Sequence, residues 1–548
     1  MSAQTLLPSS HADTFSRDHL PPADQWPVFM FDRPEVQYPE LLNVTHELVD
    51  LHVAHGHGDR PALHGHSARG AFSWSYQALQ QHVDAIAHVL TQDMGLVSGN
   101  RLLLRGANSP MMAACLLAGI KAGLVVVPTM PLLREAELRP VIEKAQVNAA
   151  LCAHQLIVEL VACMPANKLL CFGDDTPRGL EAHMRRYTAA FKAHPTTRDD
   201  ICLIAFTSGT TGKPKGTLHF HRDVLAMCDL FPRHLLHMTA NDVVCGTPPI
   251  AFTFGLGGLL AFPLRYGASA VLIEKHTPET LLETISTYRV TQCYTAPTFY
   301  RQMAALAPKF DLSSLRHPVS AGEALPDATR QLWKQATGID IADGIGGTEM
   351  IHIYIASSGD NIRAGCVGKV VPGYTAQIVD EQMQAVPPGT PGRLAVRGPT
   401  GCKYLADPRQ TDYVKEGWNL PGDTFVMDAD GYFRYLARND DMIISAGYNI
   451  AGPEVEGALL LHPAVSECGV VGVDDAERGQ IVVAYVVLKP NHTGDADMVK
   501  ALQEFVKQQI APFKYPRRIH FLTALPRTET GKLQRFRLRN LPDHQQRN

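Results

Sequence analysis

The chain has 548 residues, 45 % of them apolar, which is enough for large cores and more than one domain. Its 50 Lys and Arg against 54 Asp and Glu leave a net charge of −4, which gives no surface for a polyanion and so excludes a nucleic-acid partner. The eleven scattered cysteines contain no CxxC pair; that fits a reducing cytoplasm and excludes a disulfide framework or a structural zinc.

Residues 1 to about 40 are rich in Pro and Asp and read as irregular. No basic stretch leads into an apolar one before His19, so no signal peptide is expected. Helical spacing begins near Leu41, through Leu42, Val44, Leu48, Val49 and Val53. An amphipathic run through Leu79, Val83, Ile86 and Leu90 follows Ser73-Trp74-Ser75-Tyr76. Leu102 to Leu104 is a buried-strand pattern, Met111 to Ile120 a helix, and Leu124 to Val127 a strand. Such alternation predicts a mostly parallel sheet covered by helices, hence an α/β fold. His55, His57, His64 and His66 are irregularly spaced among glycines and predict a solvated loop, not a metal site.

The apolar run Ile201 to Phe206 is a short buried strand that enters Thr207-Ser208-Gly209-Thr210-Thr211-Gly212-Lys213-Pro214-Lys215-Gly216. Glycines expose backbone amides, and amides, hydroxyls and ammonium groups together suit a polyphosphate. The spacing is not that of a Walker loop: only Thr210 and Thr211 separate Gly209 from Gly212, and Pro214 follows Lys213. A plain flexible loop is the competing reading. His219 and His221 are expected to pack or cap at a helix start. Ile250 to Leu264 is the longest uncharged apolar stretch; it is shorter than the roughly 20 residues of a spanning helix and broken by glycines, so no membrane partner is expected. Its first part, Pro249 to Gly258, carries Phe252, Thr253, Phe254 and Gly255. Glycines there suit a close approach of backbone to a ligand. Val271 to Glu274 reads as a strand and Thr280 to Tyr288 as a helix. Asp343-Gly344-Ile345-Gly346-Gly347-Thr348-Glu349 sets a carboxylate beside a hydroxyl in a Gly-rich turn, a combination able to hold magnesium against phosphate oxygens. Asp423 offers two acceptor oxygens suited to a vicinal diol, or is an ordinary turn aspartate. The last 110 or so residues alternate strands (Glu467 to Val471; Ile481 to Leu488) with a helix from about Asp497 that has Val499, Leu502, Phe505, Val506 and Ile510 on one face.

These motifs, in this order over about residues 40 to 537, resemble the adenylate-forming superfamily of acyl-CoA synthetases, adenylation domains and luciferases. The resemblance implies a large N-terminal adenylate-forming domain with helix-covered sheets over residues 1–439 and a small mobile α+β lid over residues 440–548. It makes Thr207 to Lys213 the ATP phosphate loop. Gly322, Glu323 and Ala324, within Ser320-Ala321-Gly322-Glu323-Ala324-Leu325-Pro326, would run along adenine, with Asp343, Gly344 and Ile345. Many relatives carry a tyrosine at Ile345. Thr348 would contact the α-phosphate and Glu349 would ligate Mg2+; Asp423 would hold the ribose and Arg438 the ribose and phosphate. The acyl pocket would comprise Phe252, Thr253, Phe254, Gly255, Ala296, Thr298, Ala321, Gly346 and Gly347. Asp440 would be the hinge, Lys532 the catalytic lysine, and Ser445, Ala446, Gly447, Phe513 and Arg517 the coenzyme A site, with Ala446 where relatives often have glycine.

The local sequences 251–257, 320–326 and 343–349 resemble the benzoate-CoA ligase branch. The segment from Asp18 to Val44 is most similar to 2-aminobenzoate-CoA ligases. The activity implied is an ATP- and CoA-dependent aryl-CoA ligase acting on 2-aminobenzoate or benzoate in the cytoplasm, as a monomer or homodimer. A stand-alone adenylation enzyme that loads a carrier protein, and a non-catalytic nucleotide-binding relative, are the other two readings. The intact set Glu349, Asp423, Arg438 and Lys532 argues against the last.

Overall fold

The structure, a computed structural model, describes residues 5–67, 70–173, 176–207, 214–438, 441–445, 448–475, 478–527 and 533–541. Two large sheets of mainly parallel strands share one helical filling. The first has nine strands among the described residues, and its parallel centre runs His317–Ser320, Gln292–Thr295, Val243–Gly246, Ser269–Val271. Ala342–Gly346 joins it in parallel, and Ile353–Ser357 turns the edge antiparallel. The second centres on Ala149–Ala153, Arg101–Arg105, Val125–Thr129 and Ile201–Thr207, all parallel. Strands such as Arg101–Arg105 and Val125–Thr129 are buried along their whole length because helices cover both faces.

The helix Pro110–Lys121 belongs to that filling, buried at all but one position. Ser109 caps it by accepting from the Met112 amide at 3.2 Å, and Pro110 occupies the first turn, where no amide is needed. It ends at Lys121, whose buried ammonium lies 2.7 Å from Asp50 and also pairs with Asp84. The last strand of the second sheet is Lys215–Phe220, antiparallel to Ile201–Thr207, so the two form a hairpin. The predicted phosphate loop therefore leads into a strand and not into a helix, in keeping with the exclusion of a Walker loop.

Three features differ from the prediction. A third sheet is fully antiparallel: Gly392–Arg397, Asp423–Met427 and Phe433–Arg438 form its centre. The strand predicted at Val271 to Glu274 lies earlier, at Ser269–Val271, because Ser269 and Ala270 pair with Val243 and Val244. His64 and His66 are on the strand Pro61–Ser67 and not in a loop; the His64 ring packs 5.3 Å from that of Tyr288. No metal-binding group of three His, Cys, Asp or Glu occurs among the described residues.

Beyond the third sheet, Ile443–Ser445, Val465–Asp475, Gly479–Leu488 and Arg518–Phe521 form one sheet. The helices Gly452–Leu460 and Ala496–Gln509 pack on it, with Leu502 and Val506 buried as the spacing predicted. All eleven cysteines are free thiols. Among the described residues no helix is long and apolar enough to cross a membrane.

Candidate active site

In open α/β sheets ligands gather beyond the carboxyl ends of the strands. Here three neighbouring strands of the first sheet end in the predicted motifs. Gln292–Thr295 leads into Ala296 and Thr298, His317–Ser320 into Ala321 to Ala324, and Ala342–Gly346 into Gly347, Thr348 and Glu349. A fourth, Val243–Gly246, leads to Phe252, and Thr247 joins hydroxyls with Thr295 at 2.6 Å. Sheet topology thus collects residues scattered over a hundred positions. The motif 343–349 is not one turn: Asp343 to Gly346 are strand and Thr348 to Met350 a short 3-10 turn. Ile351 follows with φ of 64°, a left-handed conformation that strains a β-branched residue and is tolerated here inside the core.

The aromatic segment is a helix start. Helical backbone runs from Thr253 through Tyr266, with one wider turn over Gly257–Ala261. Its glycines pack closely against protein. A Cβ on Gly255 would stand 2.2 Å from the Pro249 carbonyl oxygen. One on Gly257 would stand 2.5 Å from the His352 ring, and one on Gly258 2.6 Å from Tyr294. Phe254 is half-buried, with its ring edge-on to Tyr294 at 6.0 Å and 5.7 Å from His352. His352 was missed in the sequence. It is fully enclosed; its Nε2 donates to the Phe254 carbonyl at 3.4 Å, and burial pushes its pKa down to about 3, so it is a neutral, space-filling ring. Thr253 is buried, and Phe252 half-buried beside it. Thr298 donates its hydroxyl proton to Glu323 at 3.2 Å, which leaves it only acceptor capacity.

Charged groups gather at and beyond the end of the strand Ala342–Gly346. Tyr404 donates to Glu349 Oε1 at 2.6 Å, and the Lys215 ammonium stands 3.9 Å from the same oxygen. Lys215 belongs to the motif read as suited to a polyphosphate, whereas Tyr404, 55 residues from its partner, was assigned no role in the sequence. Asp343 is buried, and burial raises its carboxyl to about 7 against the opposing pull of Arg330 at 3.6 Å. Its Oδ1 accepts from the Gly344 amide at 3.0 Å. Asp423 and Arg438 face each other across an antiparallel pair, 3.6 Å apart; Asp423 is buried while Arg438 opens to solvent. Thr207 and Lys215 pair at the mouth of the hairpin. Ser208 to Lys213, Asp440, Ala446, Gly447 and Lys532 lie outside the described residues.

A single carboxylate with substrate phosphate oxygens suffices for magnesium, which keeps several waters and needs no protein cage. Glu349 fits this. One of its oxygens takes Tyr404 and Lys215, while Oε2 stands 3.6 Å from where a Cβ on Gly347 would sit.

The C-terminal residues meet the large unit at the same edge. Glu323 Oε1 accepts from Arg527 and from the Leu533 amide, both at 3.1 Å. Arg527 also reaches Glu467 at 2.9 Å. The Glu323 side chain is thus engaged by protein, and what it can offer a nucleotide is its backbone. Arg301 donates to the Ser466, Val465 and Leu460 carbonyls at 3.1 to 3.3 Å. Ser445 is buried at a strand end. Phe513 is exposed and stacks on Tyr448 at 4.5 Å, and Arg517 lies over the Tyr515 ring at 4.5 Å.

The chain matches the AMP-binding enzyme family over residues 51–404 and the AMP-binding enzyme C-terminal domain over residues 454–532. It is 33 % identical to the benzoate–CoA ligase of Thauera aromatica over 92 % of this chain and 97 % of that one. Its structure is similar to that of the anthranilate CoA ligase AuaEII in complex with anthranoyl-AMP, with a TM-score of 0.87 and 31 % identity over 93 % of this chain and 98 % of that one. It is also similar to a benzoate CoA ligase from Burkholderia xenovorans LB400, with a TM-score of 0.82 and 30 % identity over 91 % and 100 % of the two chains.

Proposed function

The chain belongs to the AMP-binding enzyme family and is an acid–thiol ligase, and on that premise we propose that it makes the CoA thioester of a small aromatic carboxylic acid, 2-aminobenzoate or benzoate. In the first half-reaction an oxygen of the acid's carboxylate bonds to the α-phosphorus of ATP and pyrophosphate leaves. In the second, the CoA thiol attacks the acyl carbon, loses its proton, and AMP leaves.

The observation that carries this reading is the gathering, beyond adjacent strand ends, of an aromatic wall and a set of charges. The wall of Phe252, Phe254 and the enclosed His352 suits a flat ring and opposes a long alkyl chain. Burying a ring of roughly 150 Å2 at about 25 cal/mol per Å2 contributes about 4 kcal/mol, whereas one hydrogen bond to a ring amino group contributes about 1. The ring therefore governs binding, and Thr253 or Thr298 tunes the choice between benzoate and 2-aminobenzoate by about tenfold at most. An unchanged preference in Thr253→Ala would remove that residue from the account.

Two anions meet in the first step, so charge is neutralised where it develops. Magnesium, when bound by Glu349, supplies part of that charge. Thr348, the loop Ser208 to Lys213 and Lys532 donate to the phosphates. Asp423 takes the ribose hydroxyls and Arg438 holds the nucleotide so that attack is in line. A boundary at Asp440, between 1–439 and 440–548, lets the C-terminal unit turn. That motion withdraws Lys532 after pyrophosphate leaves and brings Ser445, Ala446, Gly447, Phe513 and Arg517 to the acyl-adenylate with CoA. The test is Lys532→Ala assayed in each half-reaction. Adenylation is expected to collapse while thioesterification of a supplied acyl-AMP persists; equal losses in both would contradict the assignment.

A further inference from the structure

Beneath the phosphate-loop hairpin lies a buried ion pair that the chemistry above does not use. Lys403 donates to Asp223 at 2.9 Å and to the Gly401 carbonyl at 3.0 Å, and both charged side chains are fully enclosed. The Lys403 ammonium also sits 4.7 Å from the centre of the Phe220 ring and 4.8 Å from that of Phe29. This pair seats a short extended segment against the strand Lys215–Phe220. The Leu218 amide donates to the Lys403 carbonyl and the Leu405 amide to the Gly216 carbonyl, each at 2.8 Å. Successive side chains of an extended segment point to opposite faces. With Lys403 directed into the core, Tyr404 is directed to the site.

Tyr404 is fixed at both ends. Its amide donates to Gln410 at 2.9 Å and its hydroxyl to Glu349 Oε1 at 2.6 Å. Lys215 stands 4.9 Å from the centre of its ring and 3.9 Å from the same Oε1. The terminal torsion of a glutamate is soft, so an unrestrained carboxylate would sample many orientations. Here one oxygen is claimed by a phenol and a cation, and the other is left beside Gly347.

We propose that Tyr404 is a positioning residue for the first half-reaction: it pins Glu349 through Oε1 so that Oε2 is presented to the metal that accompanies the triphosphate. The inference rests on the assignment of Glu349 as the magnesium ligand. Lys403 and Asp223 act one step further back, by setting the segment that carries Tyr404.

The test is Tyr404→Phe, which keeps the ring and removes only the donor. Binding of magnesium–ATP and of AMP is measured by calorimetry, and binding of Mn2+ with ATP by electron paramagnetic resonance. A charge-assisted hydrogen bond predicts about a tenfold loss in magnesium–ATP affinity and a matching rise in the metal concentration needed for half-maximal pyrophosphate formation. AMP, which lacks the bridging phosphates, should bind within about twofold of wild type, which also reports that the variant is folded. In a Glu349→Gln background the same substitution should cause no further loss, because Tyr404 acts only through that carboxylate. Wild-type affinity for magnesium–ATP in Tyr404→Phe, equal losses for AMP and ATP, or a full extra loss on top of Glu349→Gln would each overturn the proposal. A wild-type protein that binds ATP equally well with and without magnesium would overturn the Glu349 assignment, and the inference with it.

Discussion

Two ionic contacts near the site are built in opposite ways. Lys403 and Asp223 are each 0 % exposed and lie under the hairpin, held on all sides by aromatic rings and main chain. Arg527 and Glu323 are 25 % and 21 % exposed and join the C-terminal residues to the turn after the strand His317–Ser320. A buried pair is costly to break because either charge left alone is desolvated, whereas a half-exposed pair is readily replaced by water. The first contact suits a part that must not move between the two half-reactions. The second suits one that must part and re-form. Arg301, which reaches three main-chain carbonyls of the C-terminal unit, belongs with the second group, since carbonyls released from it return to water.

The comparison is most severely tried by Lys403→Met. Removing one partner of the buried pair should cost about 3–5 kcal/mol, read as a large fall in melting temperature. Its pH dependence carries a sign. In the wild type, burial alone would raise the Asp223 carboxyl, but Lys403 and its neighbours hold it at about 2. That is below the usual value of about 3.9, so the pair's contribution is present above pH 4 and lost as pH falls towards 2. Without Lys403 the desolvated carboxyl is raised, and its burden grows as pH rises. The stability gap between variant and wild type should therefore be wider at pH 8 than at pH 5. A gap independent of pH would mean that the pair is not what holds the hairpin.

Lys532→Ala comes next, with an expected loss of about a hundredfold or more in acyl-AMP formation and a far smaller one in thioesterification. Glu323→Ala removes the acceptor of both Arg527 and the Leu533 amide. About a tenfold loss in adenylation is expected, with melting changed by no more than about 0.5 kcal/mol and thioesterification spared. A large drop in stability would place Glu323 with Lys403 in the permanent group and dissolve the contrast. Thr298→Ala should do least, about a twofold change in adenylation, because it removes a single part-exposed donor from Glu323.

Much of this was legible in the sequence because it is local. Apolar runs such as Ile201 to Phe206 announced their strands, and Leu502 and Val506 lie on the buried face their spacing implied. The strand ends that carry Ala321, Gly347 and Glu349 were marked by short motifs that survive without knowledge of the fold. The antiparallel third sheet was not legible, since its strands are short and mixed in pattern and gain their order from partners such as Asp423 and Arg438 across the sheet. The glycines 255, 257 and 258 were legible as a demand for space but not as to what fills it, which is Pro249, His352 and Tyr294. Tyr404 and His352 carried no local signal, because each matters only through a neighbour that the fold supplies. The motif around Glu323 pointed to a nucleotide along its backbone, but gave no signal that its carboxylate engages Arg527 and Leu533.

The central claim is that one chain activates an aromatic acid with ATP and passes it to CoA. It is tested most directly by incubating the purified protein with ATP, magnesium, CoA and one acid at a time (2-aminobenzoate, benzoate, fluorobenzoates, phenylacetate, a fatty acid) and measuring CoA-dependent AMP release. Strong release with 2-aminobenzoate or benzoate and little with the fatty acid is the predicted result. Strong release with the fatty acid alone would contradict the aromatic pocket. Pyrophosphate exchange with an aryl acid but no CoA-dependent AMP release would contradict CoA as acceptor and point to a carrier protein.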